Sequence, residues 1–215
     1  GEQVPFGKKV VLRAEGFENF TVAAEICEDL WALKPPSTEH AAAGANIIVN
    51  LSCSDETVGK AEYRRALVSS HSAKLVAGYV YADSGEGEST TDMVFAGNDF
   101  VAENGRILSE TEPFGDRPAF AEIDVDFIAY ERSRLYNYGY KREAGYEEIP
   151  FVTDDSVLLL TRSYPKTPFV PEDEGELGSR AELILKMQAA GLKKRIEHTG
   201  AKKAVVGLSG GLDST

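Results

Sequence analysis

The chain has 215 residues, 42% of them hydrophobic and 27% charged, with a formal net charge of −12. That length allows one good core and the beginning of a second domain. The negative charge argues against a nucleic-acid surface or an anionic membrane as the main partner, and no apolar run approaches a membrane span or a signal segment.

Gly1 stands where a methionine would begin a complete chain, and a strand-like run follows at once, so sequence is expected upstream. Lys8 to Ala14 and Phe20 to Ile26 have strand composition. Ser37 reads as the cap of a short helix, Thr38 to Ala43, ended by Gly44. Asn46 to Leu51 is a short apolar strand, and Ala61 to Ala73 is helical with Leu67, Val68 and Ser72 on its inner face. Arg64 and Arg65 read as solvated charges of that helix. Leu75 to Tyr81, Met93 to Phe95 and Phe100 to Glu103 are strands. Asn104-Gly105 is a strong hairpin turn, from which Ile107-Leu108 returns. Ala119 to Val125 reads as a further strand leading into a helix from Asp126 that carries Ile128, Arg132 and Leu135. This alternation predicts a layered α/β core.

Tyr164 to Gly178 is rich in proline and acid and reads as a linker. Ser179-Arg180-Ala181-Glu182 fits a capping box. It opens a helix with Ile184, Met187, Ala190, Gly191 and Leu192 as its apolar stripe, ended by Thr199-Gly200. Lys202 to Leu208 is then a strand running into Ser209-Gly210-Gly211-Leu212-Asp213-Ser214-Thr215. A strand feeding a glycine-rich turn with hydroxyls concentrates N–H and O–H donors in one concavity, which suits phosphate. It lacks the Gly-Lys-Ser/Thr close of a Walker A loop. An ordinary Gly-Gly turn after an edge strand is the alternative.

Cys27 lies at the carboxyl end of its strand, where α/β proteins commonly carry catalytic groups. Glu25, Glu28 and Asp29 crowd it, and nearby negative charge disfavours a thiolate, so a catalytic Cys27 needs a cation from elsewhere. Composition alone favours an inert buried thiol. Cys27 and Cys53 form no CxxC pair and read as free thiols of a cytoplasmic protein. His40, His71 and His198 are solitary, so no protein-built metal site is expected.

Glu25-Ile26-Cys27-Glu28-Asp29-Leu30-Trp31, Pro35-Pro36-Ser37, Asn50-Leu51-Ser52-Cys53-Ser54 and Gly59-Lys60-Ala61-Glu62-Tyr63-Arg64-Arg65 resemble the glutamine amidohydrolase domain of the nitrilase superfamily. The version they resemble is the one found in glutamine-dependent NAD synthetases. The segment Gly85 to Asp92 and the Gln188-to-Arg195 helix match as well, and the Ser-Gly-Gly-x-Asp-Ser loop is similar to that of the ATP pyrophosphatases. The similarity runs from about Val4 to the last residue and is weakest around Tyr138 to Val157.

The resemblance implies an α/β fold: part of a nitrilase-like α-β-β-α sandwich over residues 1–163, a linker over 164–178, and the first helix and strand of a doubly wound ATP pyrophosphatase domain over 179–215. It implies a Glu-Lys-Cys site in which Cys27 is the nucleophile. The glutamate and lysine lie upstream of Gly1 in the family, so the chain by itself is expected to be inactive. Glu28, Ser54 and Lys60 match glutamine-binding positions. Glu28 either orients the amino group or lends its N–H to the oxyanion, and Ser54 is equally readable as a turn serine. Lys60 stands where an arginine is usual, giving a point charge in place of a fork. Cys53 is expected to be buried, and the Asp92 segment to shape a site wall. Gly207, Leu208, Ser209, Gly210, Gly211, Leu212, Asp213 and Ser214 match the ATP-binding loop, with Asp213 near magnesium without ligating it.

The implied partners are glutamine, ATP with Mg2+, and deamido-NAD, in a large symmetric homo-oligomer without nucleic acid or membrane. Two other readings are a free-standing amidase of the nitrilase type and a non-enzymatic assembly module.

Overall fold

The computed structural model describes residue 3 and residues 6–138, 145–154, 160–164, 166–171 and 173–212. The chain divides into two units, Gly1–Thr161 and Arg162–Thr215. No helix among the described residues is long and apolar enough to cross a membrane.

The first unit is built on a seven-stranded sheet. Its strands are β1 (Val10–Ala14), β2 (Thr21–Ile26), β3 (Ile47–Ser52), β4 (Gly78–Asp83), β5 (Phe100–Glu103), β6 (Arg106–Glu110) and β7 (Glu147–Phe151). They lie in the order β6-β5-β4-β3-β2-β1-β7. β2, β3 and β4 are mutually parallel, β7 runs parallel to β1, and the remaining pairs are antiparallel. Parallel neighbours need crossovers. These are a 3₁₀ turn (Cys27–Trp31) with α1 (Pro36–Ala42) between β2 and β3, and α2 (Lys60–Leu75) between β3 and β4. The β5–β6 hairpin turns at Asn104 (φ +44°) and Gly105 (φ +88°), the two left-handed positions expected of an Asn-Gly turn.

Side chains alternate across a strand. Ala23 and Glu25, Ile48 and Asn50, and Tyr79 and Tyr81 enter one buried layer with Leu30, Ala41, Val68 and Leu75. On the opposite side Ile26 is 66% and Leu51 59% exposed. Nearer the amino ends of the strands, Ile123 lies against Gly78, where an added Cβ would stand 3.0 Å from its Cγ2. The side chain of Arg132, from α3 (Val125–Ser133), donates to the carbonyls of Ala45, Leu75 and Val76 and to Asn46 Oδ1. It thereby satisfies carbonyls left over at the end of α2.

The buried layer is polar as well as apolar. The Glu25 carboxylate accepts the Ser37 N–H at 2.9 Å and the Tyr79 hydroxyl. His71 Nε2 meets Ser37 Oγ at 2.7 Å, and His40 Nδ1 meets the Tyr146 hydroxyl at 2.7 Å. Burial holds both imidazoles below the usual value, against the opposing pull of the Glu25 charge. Burial and then Glu25 push the Tyr79 hydroxyl far up.

Several expectations change. Arg64 is fully buried, not solvated: it lies four residues before Val68 and shares its inward stripe. Its guanidinium reaches Glu56 at 2.9 Å, Asn98 at 3.2 Å and Asp83 at 3.6 Å. Arg65 is exposed and pairs with Glu110. Ser37 does not cap α1; it sits inside the helix, buried against His71. Leu75 belongs to α2, so β4 starts at Gly78. Met93 to Phe95 forms only a single bridge between Phe95 and Asp55. Ala119 to Val125 is not a strand; it is irregular up to Asp124, which caps α3 through Phe127 N–H, and Val125 opens that helix. Cys53 is exposed, because it continues the outward parity of Leu51. β7 goes unread in the sequence: it pairs only with the distant β1 and contains Pro150, which suits an edge strand.

In the second unit α4 (Glu174–Thr199) begins five residues before the expected capping box, with Asp173 accepting Glu176 N–H, and Gly200 ends it in the left-handed conformation. None of its described residues is buried. Residues 202–208 form no strand, since a strand exists only against a hydrogen-bonding neighbour.

Two outcomes follow from the buried layer. Arg64→Ala should lower the unfolding free energy by about 3–5 kcal/mol, because it strands buried acid groups, while Arg65→Ala should change it by about 1 kcal/mol or less. Equal effects in urea denaturation would contradict the packing of α2. For His71, the unfolded state takes up a proton as pH falls below about 6.5, whereas the buried imidazole resists. Stability is therefore fully present above that pH and lost as pH drops towards the lowered folded value. Urea midpoints should fall from pH 7.5 to 5.5, and less steeply in His71→Gln. An unchanged slope in that variant would count against a buried neutral His71.

Candidate active site

β2, β3 and β4 run parallel, so the residues that follow them gather along one edge of the sheet. After β2 the chain leaves the ladder abruptly. Ile26 N–H donates to Asp29 Oδ2 at 2.8 Å, and Cys27 opens the 3₁₀ turn with φ +49°. A left-handed backbone at a residue with a Cβ costs about 1–2 kcal/mol. Asn50 of β3 is in register with Glu25 and is 1% exposed. Its Oδ1 accepts Cys27 N–H at 3.0 Å, and its Nδ2 donates to Cys27 O at 3.3 Å and to the Tyr79 hydroxyl at 3.2 Å. The thiol is half-buried and outside any disulfide.

The carboxylates crowding Cys27 in sequence separate in space. Glu25 is turned into the buried layer and engaged there, Asp29 is tied to Ile26, and Glu28 alone is exposed on the turn. The first N–H groups of such a turn lack partners within it. Asn50 takes that of Cys27, and the N–H of Glu28 is the next along.

Ser54 follows β3 and is buried, with its N–H donating to Asp83 Oδ1 at 2.8 Å. Asp83 ends β4, and burial pushes its carboxyl up against the pull of Ser54 N–H and Arg64. Lys60 opens α2. Its Nζ lies 2.6 Å from Asp55 O and 2.8 Å from Asp55 Oδ1, and 5.8 Å from the centre of the Trp31 ring. That ammonium holds the Asp55 carboxyl below the usual range. Trp31 ends the turn that Cys27 begins and stacks at a tilt on Tyr63, 5.2 Å away. Cys27, Glu28, Ser54 and Lys60 thus all belong to the segments that leave the carboxyl ends of β2 and β3. Asn50, Tyr79 and Asp83 escape a sequence reading. The available signal is polar residues at inward strand positions, where the period-2 pattern calls for apolar ones.

In the second unit, residues Gly207, Leu208, Ser209, Gly210, Gly211 and Leu212 are exposed, and Gly210 adopts φ +81°. Asp213 and Ser214 lie outside the described residues. Among the described residues no three His, Cys, Asp or Glu side chains gather to hold a metal ion.

No protein-family model matches the chain. Its sequence is 39% identical, over an alignment of 225 residues, to the glutamine-dependent NAD(+) synthetase of Mycobacterium tuberculosis, covering 100% of this chain and 33% of that protein. The corresponding protein of Mycobacterium leprae is 38% identical, with 99% and 33% covered. That of Thermotoga maritima is 26% identical, with 92% and 33% covered. Among solved structures, the glutamine-dependent NAD+ synthetase from Acinetobacter baumannii in complex with ADP aligns with a TM-score of 0.43 and 24% identity, over 47% of this chain and 19% of that one. Saccharomyces cerevisiae Nit3, a member of branch 10 of the nitrilase superfamily, aligns with a TM-score of 0.48 and 19% identity, over 57% and 44%. The chain spans about a third of the length of the curated relatives it matches. By sequence, the chain is similar from end to end to one third of the glutamine-dependent NAD(+) synthetases of Mycobacterium bovis and Mycobacterium tuberculosis.

Proposed function

We propose that this chain forms the later part of a glutaminase site and the opening of an ATP site in a glutamine-dependent NAD synthetase. The observation that carries the reading is Cys27: a half-exposed thiol on a left-handed turn at the end of a parallel strand, in a chain with such relatives throughout its length. The Cys27 thiolate attacks the side-chain amide carbon of glutamine, ammonia leaves, and water releases glutamate from the thioester. The glutamate that moves the protons and the lysine that supplies positive charge come from sequence beyond this chain.

The exposed sheet positions Ile26 and Leu51 support a sandwich, since an apolar sheet face is stable only when another layer covers it. The Glu28 N–H supports the oxyanion, because the N–H of Cys27 is already engaged. Ser54 and Lys60 hold the amino-acid end of glutamine, Lys60 by exchanging its Asp55 partner for the substrate carboxylate. In the second unit the loop from Gly207 to Ser214 receives ATP phosphates through N–H and hydroxyl donors, with Mg2+ arriving on the nucleotide. The carboxylate of deamido-NAD takes the adenylyl group of ATP with release of pyrophosphate, and the ammonia released at Cys27 displaces AMP to give the amide. The protein works in the cytoplasm as a homo-oligomer.

Within a protein that carries the complete glutaminase and synthetase domains, Cys27→Ala should reduce glutamine-driven NAD formation by about 10³-fold or more, with ammonia-driven formation within about twofold. Loss of both activities, or of neither, would overturn the assignment. Lys60→Ala should raise KM for glutamine about tenfold with kcat within about twofold, as expected for a group that binds ground and transition states alike. A fall in kcat at constant KM would remove Lys60 from the carboxylate-binding role.

A further inference from the structure

We propose that Asn50 is a positioning residue for Cys27, its side-chain amide closing on both peptide groups of the cysteine and holding the left-handed turn that carries the thiol. The proposal rests on the glutaminase reading above.

The hydrogen-bond ladder between β2 and β3 ends at the Ile26–Leu51 pair. One residue further on, φ +49° takes Cys27 out of the extended conformation a ladder requires, so the β2–β3 ladder stops short of its N–H and C=O. Asn50 supplies both partners from a side chain, an acceptor at 3.0 Å and a donor at 3.3 Å. Asn50 is 1% exposed, so its amide meets these groups without competing water of its own.

The orientation of the amide follows from what lies behind it. The Glu25 carboxylate accepts the Tyr79 O–H and also the Ser37 N–H, so the Tyr79 oxygen is left to accept. Asn50 must therefore present its NH₂ group to Tyr79, which leaves Oδ1 facing Cys27 N–H. The network Ser37–Glu25–Tyr79–Asn50 thus ends on the backbone of the cysteine, and its polar groups are set before any substrate arrives. It has a second effect: with the Cys27 N–H occupied, the next donor on the turn is that of Glu28. Without Asn50 the turn loses the contacts that offset its strain and relaxes towards the extended conformation, displacing the sulfur. A displacement of about 1 Å at a reacting atom costs about 10²-fold in rate.

The test measures glutamine hydrolysis by a protein holding this chain within a complete glutaminase domain. Asn50→Ala should lower kcat about 100-fold with KM for glutamine within about threefold and ammonia-driven NAD formation within about twofold. Asn50→Asp keeps the oxygen that accepts Cys27 N–H and loses the donor, and should recover kcat to about tenfold below wild type. Asn50→Ala with kcat within about threefold of wild type, or with the loss confined to KM, would overturn the proposal. Should Asn50→Ala fail to fold, Asn50→Asp decides alone: a selective fall in kcat supports positioning, and wild-type kcat removes it. Cys27→Ala in the same assay separates the two levels. If that variant still hydrolyses glutamine, the glutaminase reading itself fails. If it is dead while both Asn50 variants are fully active, only the role of Asn50 fails.

Discussion

The register of β2 against β3, which sets Glu25 opposite Asn50, is the constraint on which the rest of the first unit depends. A slip of β2 by one residue would turn Glu25 outward and bring Ile26 inward opposite β3. In the register observed, two strongly polar side chains enter a buried layer, where each unpartnered group would cost about 1–3 kcal/mol or more. They are tolerated because Ser37, Tyr79 and Cys27 meet them there. The position of Cys27 is thus set by the sheet as much as by its own turn.

The same device recurs along the edge. Asn50 of β3 reaches back to the backbone that follows β2, and Asp83 of β4 reaches back to the backbone that follows β3, at Ser54. Asp99, just before β5, in turn accepts the N–H of Asp83. In each case a short polar side chain takes over hydrogen bonding near a strand end. This is the demand that buried backbone donors place on a fold. The loops carrying Cys27 and Ser54 are consequently anchored to the sheet. Arg64 supports the same arrangement from α2: it balances Glu56 and Asp83 inside the protein at a desolvation cost comparable to the attraction gained. Such a buried group contributes more to a single arrangement of the edge than to net stability.

Local pattern was enough for the elements whose stability is local. Asn104-Gly105 specifies its own backbone, so the β5–β6 hairpin was legible. The helical stripe through Leu67, Val68 and Ser72 was legible because a 3.6-residue period survives in the sequence. Where the pattern failed, the missing information lay elsewhere in the chain. Arg64 occupies an inward helix position that its type disguises, and only Glu56, Asn98 and Asp83 make that position tenable. The expected strand from Ala119 to Val125 has alternating composition, but no neighbouring strand receives it, and it serves to bring Ile123 onto Gly78. The strand expected after Lys202 likewise has no partner among the described residues of its unit.

Residue types and spacing alone determined that Cys27 ends a strand, that the chain alternates strands and helices, and that a glycine-rich, hydroxyl-lined segment ends it. Those features depend on neighbours a few positions away, and they carried the family resemblance. Only the tertiary structure decided what surrounds the thiol. It moved Glu25 away from Cys27 and into the core, set the Asn50 amide onto the cysteine backbone, and gave Lys60 to Asp55. Hydrogen bonds across 23 or 54 positions of sequence leave no periodic trace, because they arise when parallel strands lie side by side and buried polar groups have to find partners.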